Sequence, residues 1–120
     1  ARLSIGLPPG PIALNRSTID HCFGADSLEQ IVSRLADDGG AFADAALAKL
    51  RAASPASLRI TFDLLRSARG RLLAECLQIE LALAKDVTRD ADFAEGVRAM
   101  LVDKDRQPRW SSDALAPKSC

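Results

Sequence analysis

One apolar stripe constrains the fold of this chain more than any other feature of its sequence. Apolar side chains recur at spacings of three, four and seven residues, at Leu28, Ile31, Val32 and Leu35. In an α-helix these positions share one face, whereas a β-strand would divide them between its two faces. Similar stripes follow in segments that begin near residues 41, 54, 71 and 92. The sequence therefore predicts an all-α fold of five to six short-to-medium helices.

Capping residues predict where these helices begin and end. Residues 26–29 and 92–95 each place Asp three positions before Glu, the spacing of a capping box. Ser54 followed by Pro55 predicts another helix start, with serine as the N-cap and proline at the first helical position. A cap contributes about 1 kcal/mol, and burial of one leucine contributes about 1.5–3 kcal/mol. The stripes therefore determine the fold, and the caps set its boundaries.

The chain is predicted to contain one helical domain between two irregular ends. Residues 1–17 are rich in glycine and proline, begin with Ala1 rather than Met, and are expected to be a helix-free linker that connected to something else. The helical domain is expected over residues 18–105. Residues 106–120 are expected to form an extended or disordered C-terminal tail. Within the domain, the segment 71–87 is apolar around much of its circumference, which predicts a central, buried helix.

Composition excludes several classes of function. Sixteen basic and sixteen acidic residues are interleaved without a block of like charge, which predicts no nucleic-acid partner and no membrane partner. The apolar runs are too short for a membrane span, and the first residues do not resemble a leader, so a cytoplasmic protein is expected. Three cysteines and one histidine form no recognisable zinc or disulfide pattern. Cys22 and Cys76 are predicted to be buried thiols, and Cys120 a loose tail thiol.

Two segments carry a resemblance to a known family. Residues 54–61, Ser-Pro-Ala-Ser-Leu-Arg-Ile-Thr, resemble the SPTSLKIT-type helix start of the 3-hydroxyisobutyryl-CoA hydrolases. Residues 92–105, followed by Pro108 and Trp110, resemble the C-terminal DFxEGVRAxLIDKDxxPxW signature of the same family. Residues 75–80 resemble the acidic helix between them. The resemblance covers about residues 19–110 in the right order and spacing.

The resemblance implies a relation to the enoyl-CoA hydratase/isomerase, or crotonase, superfamily. In these enzymes an N-terminal ββα core binds the acyl-CoA, and two backbone N–H groups there form an oxyanion hole beside catalytic carboxylates. A helical C-terminal region covers the site and helps to assemble trimers. This chain resembles that region alone, without the ββα core, so no catalytic residue is assigned to it. The resemblance implies hydrolysis of 3-hydroxyisobutyryl-CoA in valine breakdown, or a fatty-acid hydratase/isomerase activity, for the parent enzyme.

The chemistry-bearing side chains are otherwise given structural roles. Glu75 and Glu80 are five residues apart on one helix and point in different directions, so they are not expected to act as a carboxylate pair. Glu80 is predicted to pair with Arg98. The neighbours His21 and Cys22 are not expected to form a nucleophile and base, because adjacent helical residues diverge by about 100°. Ser54 is interpreted as a cap.

Two residues near the C-terminus are candidates for coenzyme A contact. In the crotonase superfamily the C-terminal helix brings an apolar residue and a lysine near the adenine and phosphates of coenzyme A. The matching positions are Met100 and Lys104, although Met100 is expected to be a core residue first and Lys104 also fits a solvated helix end. Gly96 is predicted to allow close packing of the last helix. No cofactor or metal ligand is predicted.

The sequence leaves two hypotheses of function. The first is a C-terminal lid and assembly region whose partners are a crotonase core domain or identical subunits. It predicts exposed apolar surface and no activity in the isolated chain. The alternative is a free-standing helical protein-interaction module without an acyl-CoA role, which predicts a well-covered monomer.

Overall fold

The computed structural model describes residues 6–111, and these residues form seven α-helices and one π-helical turn without a strand. The all-α prediction is confirmed, although five to six helices was too low a count. The elements are α1 (Pro11–Leu14), α2 (Arg16–Phe23), α3 (Leu28–Asp38), α4 (Ala41–Ala52), α5 (Pro55–Ser67), α6 (Leu73–Val87), α7 (Ala91–Val97) and the π-helical turn Arg98–Val102. The chain divides into two compact units, Ala1–Leu50 and Arg51–Cys120, with the division in the last turn of α4.

The first unit contains the stripe that predicted the fold. Leu28, Ile31 and Leu35 of α3 are buried, and α3 packs against α2, whose Cys22 is fully buried. The prediction that Cys22 is a buried thiol is confirmed. Arg34 also joins the two helices, because its Nη1 donates to the carbonyl oxygen of His21 over 2.7 Å. The predicted core of this unit is therefore present in the structure.

The boundaries of α3 differ from the prediction at one end. Ser27, rather than Asp26, is the N-cap, and its Oγ accepts a hydrogen bond from the backbone N–H of Gln30. The Gln30 side chain accepts in return from the N–H of Asp26, so the reciprocal pair is shifted by one residue. At the other end Gly39 adopts φ +64°, a left-handed conformation that glycine reaches without strain, and ends the helix.

The linker predicted to lack helix contains one. Pro11–Leu14 forms α1, and α2 already begins at Arg16, so helix is present within residues 1–17. Proline stands at the first helical position of α1, where its missing N–H is not needed and its fixed φ suits the helix. The prediction treated proline only as a helix breaker, and it was wrong for this segment. The predicted limits of the helical domain and of the tail remain predictions.

The second unit begins as the sequence predicted. The Oγ of Ser54 accepts from the N–H of Ser57, and Pro55 stands at the first position of α5. In contrast, α6 is not central, because none of its residues is buried and four leucines at its start and along it are more than half exposed. These are Leu72, Leu73, Leu77 and Leu81, with 74, 74, 55 and 59% exposure. These four leucines are therefore left uncovered among residues 6–111, whereas Cys76, Ile79, Leu83 and Val87 are half-buried.

No helix within residues 6–111 combines the length and the apolar character that crossing a membrane requires. The longest of them, α6, has 15 residues. A spanning helix needs roughly 20 apolar residues.

Candidate functional site

A polar row on α7 holds the residues that come after the π-helical turn. Asp92, Glu95 and Arg98 are spaced by three residues, so they lie along one side of α7 and the turn. Residues 103–111, which we call the C-terminal strap, return along this row in the opposite direction. Ser111 bonds to Asp92, Arg109 to Glu95, and Gln107 to Arg98. The sequence predicted an extended or disordered tail from residue 106, but these contacts fix residues 106–111 to α7.

Asp92 is the buried end of this row. It is 3% exposed, and its carboxylate accepts from the Oγ of Ser54 over 2.6 Å and from the N–H of Ser111 over 2.7 Å. These hydrogen bonds, that from Ser111 first, hold the pKa of Asp92 below its usual range, although burial alone would raise it. The helix N-cap is Asp90, so the prediction that Asp92 caps the helix was wrong. Asp92 instead joins the start of α5 to the end of the strap.

Arg98 is the centre of a charge network at the other end of the row. Its Nε and Nη2 bind both carboxylate oxygens of Glu95, at 2.8 and 2.6 Å. Its Nη1 donates to Asp103 over 2.6 Å and to Asp105 over 2.8 Å. The guanidinium thus meets three carboxylates, which raises the pKa of Arg98, with Glu95 as the largest cause. The prediction that Arg98 pairs with Glu80 was wrong. Its partner is Glu95, which lies one helical turn from Arg98.

The strap contains two residues in an uncommon backbone conformation. Lys104 and Arg106 both have φ of 56°, in the left-handed region that costs a non-glycine residue about 1–2 kcal/mol. Hydrogen bonds to the π-helical turn fix the chain here, since the N–H of Asp103 donates to Arg98 O and that of Arg106 to Ala99 O. Strained residues of this kind persist where the surroundings determine them, and they are frequent at functional sites.

Beside the row lies an open apolar groove of about 500 Å³. Its lining includes a row at spacings of four, seven and eight residues, formed by Phe93, Val97, Met100 and Leu101. Val97 is half-buried, and the other three are exposed. Trp110 of the strap contributes one wall, and its indole Nε1 donates to the carbonyl oxygen of Ala52 over 3.1 Å. The Trp110 ring lies over Gly96 at 3.5 Å from where a Cβ would stand, which is ordinary van der Waals contact. Trp110 therefore packs on Gly96, but no closer than a Cβ would allow, so the predicted need for glycine in close packing stays a prediction.

The two residues predicted to contact coenzyme A stand at different places. Met100 lines the groove and is 54% exposed, so it is not the core residue that the sequence predicted. Lys104 is exposed on the strap and does not line the groove. Met100 and Lys104 therefore do not line the same groove, and their contact with coenzyme A remains a prediction.

The remaining candidates have structural surroundings. Burial raises the pKa of the Cys22 thiol, with a smaller contribution from Asp38, while His21 beside it is exposed. A thiol in this state is a poor nucleophile. Cys76 is half-buried rather than buried, and its Sγ lies 3.9 Å from the carbonyl oxygen of Ala68. Cys120 lies outside the described residues.

Glu75 and Glu80 on α6 have different surroundings. Glu75 accepts a hydrogen bond from the N–H of Leu72 at the helix start. Glu80 is exposed beside a second groove of about 390 Å³ between α5 and α6. Among residues 6–111 no group of three His, Cys, Asp or Glu side chains is arranged to hold a metal ion.

Two residues of this site were not identified as such from the sequence. Asp92 was interpreted as a cap, and Trp110 was noted only as part of a motif. One signal was available for Trp110, because the only tryptophan of the chain stands in a segment otherwise expected to be irregular. No comparable local signal shows that Asp92 is buried and bound to Ser54.

The polar row, the strap and the groove all fall within a segment that a known family shares. A sequence profile of the enoyl-CoA hydratase/isomerase family matches residues 4–118. Since this match covers nearly the whole sequence, the chain belongs to the enoyl-CoA hydratase/isomerase family. The predicted resemblance to the C-terminal helical region of the crotonase superfamily is confirmed.

Several relatives carry a more specific name. The mitochondrial 3-hydroxyisobutyryl-CoA hydrolases of Homo sapiens and Gallus gallus are each 41% identical to this chain, over 92 and 97 residues. These alignments cover 77 and 81% of this chain but 24 and 25% of the relatives. The Danio rerio protein of the same name is 40% identical over 108 residues, covering 88% of this chain and 28% of its own length. The chain thus spans about a quarter of the length of these curated relatives.

Acid is expected to release the strap, with Trp110 as the reporter. Hydrogen bonds from Arg98 and then from Arg109 lower the pKa of Glu95 from 4.5 to about 2. A carboxyl group with a lowered folded-state pKa stabilises the fold above its unfolded pKa and loses this effect as pH falls towards the folded value. Between about pH 4.5 and 2, Trp110 fluorescence should therefore shift to longer wavelength as the indole becomes hydrated.

A substitution separates Glu95 from the other acids in this titration. Glu95→Gln should show a longer emission wavelength already at neutral pH and a smaller change on acidification, because Arg98 loses one of its three carboxylates and the N–H of Arg109 loses its charged acceptor. Glu80→Gln, on α6 away from the strap, is the matched control and should titrate like the natural sequence. Emission that is identical for all three proteins across this range would contradict the role given to Glu95.

Proposed function

We propose that this chain is the C-terminal lid and assembly region of an acyl-CoA-processing enzyme of the crotonase type. For the complete enzyme we propose hydrolysis of 3-hydroxyisobutyryl-CoA, because this is the name of the relatives that are 40–41% identical. A general enoyl-CoA hydratase or isomerase activity is the other possibility within the family. The chain itself is proposed to lack catalytic activity.

The main observation that supports this proposal is the exposed apolar surface of the second unit. Three leucines of α6 are exposed, namely Leu73, Leu77 and Leu81. The groove row adds Phe93, Met100 and Leu101 at 44, 54 and 68% exposure. Exposed apolar side chains in contiguous groups are unusual on a monomer and mark surfaces that contact another protein. An assembly region whose partner is a catalytic core or an identical subunit explains them. A free-standing, well-covered module does not, and its lack of an acyl-CoA role is at odds with the family.

The proposed lack of catalysis is supported by how the acids near the groove are used. The Asp92 carboxylate is occupied by Ser54 and Ser111, and that of Glu95 by Arg98 and Arg109. A general base must be able to reach a substrate proton, and an oxyanion needs donors that are not already bonded. Neither requirement is met by these side chains. The chemistry is therefore assigned to the core of the parent enzyme.

Contact with coenzyme A is proposed for the strap. Lys104 is exposed, and among residues 6–111 its ammonium has no carboxylate partner, although Asp103 and Asp105 adjoin it in sequence. An uncommitted ammonium suits a phosphate group of the coenzyme. Met100, in the groove, is proposed to contact the apolar part of the same ligand. The relatives are named as mitochondrial, while the cytoplasmic location expected for this chain remains a prediction.

The assembly surface on α6 can be tested by charge. Light scattering coupled to size exclusion should give the natural chain a mass above the 12.8 kDa monomer, because its exposed leucines associate. Leu77→Glu should return the mass to that of the monomer, since burying a carboxylate in an apolar contact is strongly unfavourable. The matched control is Gln78→Glu, which adds the same charge at the neighbouring exposed position and should leave the association intact.

Two results would contradict the proposal. A monomeric natural chain at all concentrations would rule out an identical subunit as the partner of α6. Steady turnover of 3-hydroxyisobutyryl-CoA or of an enoyl-CoA by the purified chain, measured as thioester cleavage or as hydration of the double bond, would remove the assignment of catalysis to another part of the enzyme.

A further inference from the structure

We propose that Arg98 is a positioning residue for Lys104. By binding Asp103 and Asp105, the guanidinium imposes the left-handed backbone of the strap and removes from Lys104 the carboxylates that would otherwise neutralise it. This inference rests on the proposed function, in which Lys104 meets a phosphate of coenzyme A, and it adds a residue that acts through Lys104 without touching the ligand.

The first step is the geometry of the guanidinium. Arg98 uses one edge for Glu95, in a bidentate pair, and its other amino group for Asp103 and Asp105. The planar fork of arginine can make these contacts at once, whereas a lysine ammonium cannot reproduce them. Because Glu95 stands on α7, the pair anchors the guanidinium to a helix. Asp103 and Asp105 are therefore fixed relative to α7.

The second step is the backbone between the two aspartates. Lys104 has φ of 56°, and Arg106 just beyond Asp105 has the same value. A residue other than glycine keeps this conformation only where neighbouring contacts determine it. The aspartates on either side of Lys104 are both held by one guanidinium, and the carbonyl oxygen of Ala99 holds the N–H of Arg106 over 3.0 Å. Loss of the guanidinium would release Asp103 and would leave Asp105 with only the N–H of Gln107 as a partner.

The third step is the charge left on the strap. Lys104 lies between two aspartates in sequence, an arrangement in which a flexible chain would pair the ammonium with either of them. Arg98 takes both carboxylates, at 2.6 and 2.8 Å. Among the described residues, the side chains of Lys104 and Arg106 consequently have no ion-pair partner. The network therefore presents an unneutralised ammonium at a fixed place.

The backbone part is tested by nuclear magnetic resonance on the full chain. Strong intraresidue Hα–HN NOEs at Lys104 and Arg106 are expected for the natural sequence, because a positive φ brings these protons together. They should weaken in Arg98→Gln and, to a lesser degree, in Asp105→Asn, while Lys85→Gln on α6 serves as the matched control. Asp105→Asn removes one contact only, so it stays informative if Arg98→Gln unfolds. Unchanged NOEs in both variants would overturn the proposal.

The ligand part is tested with coenzyme A itself as the probe, in a double-mutant cycle. Lys104→Gln and Arg98→Gln should each weaken binding about three- to tenfold, and the double variant no more than either alone, because both remove the same contact. Arg98→Lys should behave like Arg98→Gln if the fork is required. Additive losses would overturn the positioning role.

The two parts fail in different ways. A natural chain that binds no coenzyme A, or that binds it as well after Lys104→Gln, would refute the ligand contact in the proposed function and with it the role of Arg98 in binding. The NOEs would still decide whether Arg98 sets the strap conformation. Loss of the NOEs together with non-additive binding is the result that supports the whole proposal.

Discussion

Replacing Leu35 with alanine is expected to lower the free energy of unfolding by about 2–5 kcal/mol. Leu35 is fully buried in α3, within the unit where α2 and α3 pack together. The substitution removes buried methyl groups and leaves a cavity whose lining loses contacts on one side. Urea unfolding followed by circular dichroism measures the change, and hydrogen exchange of the α2 and α3 amides locates it.

Leu14→Ala is the matched control for this substitution. It makes the same chemical change in α1 of the same unit, at a side chain that is 69% exposed, and should change stability by no more than about 0.5 kcal/mol. Equal losses for the two variants would show that the Leu35 side chain is not buried in solution.

Much of the first unit could be predicted because its information is local. A stripe at spacings of three, four and seven fixes both the helix and the face that must be covered, and Leu28, Ile31 and Leu35 of that stripe are buried. The serine and proline before α5 were likewise sufficient, since they act on their own helix end. Such signals need no knowledge of the rest of the fold.

The caps that were misplaced show where local signals stop. Asp26 and Ser27 can both accept from a helix N-terminus, and the glutamine at position 30 rather than Glu29 completed the pair. Asp92 had the right spacing to Glu95, but its carboxylate is used by Ser54, 38 residues earlier in the chain. A contact over that separation leaves no trace in the pattern around Asp92.

The error at α6 has a different physical origin. The apolar residues around a helix show how much of its surface is unfavourable in water. They do not show that another part of the same chain packs against that surface. Leu73 and Leu81 are exposed at 74 and 59%, so the periodicity that predicted a central helix describes a face that the described part of the chain leaves uncovered. The same reasoning applies to Met100, which was expected in a core and lines a groove.

Part of the charge network around Arg98 could have been predicted from the sequence. Glu95 and Arg98 are three residues apart on one helix, a spacing at which opposite charges pair, and this local rule outweighs the more distant Glu80. The contacts of Arg98 with Asp103 and Asp105 depend on the π-helical turn, which bends the chain back on itself. Nothing in the sequence around residues 98–102 indicated that turn.

Replacing Asp92 with alanine is expected to destabilise the second unit by about 3–6 kcal/mol, because a hydrogen bond to a charged group contributes about 1.5–3 kcal/mol and two are lost. The Ser54 hydroxyl would be left buried without its acceptor, and the N–H of Ser111 would lose its anchor on α7. The strap should loosen with it, so urea unfolding followed by Trp110 fluorescence reports both effects. Asp92→Asn keeps the shape and one acceptor oxygen, and should therefore lose less.

Position, rather than charge, is what Asp92→Ala tests. Asp86→Ala removes the same carboxylate from an exposed site on α6 and should alter stability by no more than about 0.5 kcal/mol. If Asp92 acted only as an acidic residue near a helix N-terminus, its loss would be comparable to that of a surface charge, and Trp110 emission would not move. A large loss with a shift in emission requires the carboxylate to join α5, α7 and the strap, which is the arrangement on which one wall of the groove depends.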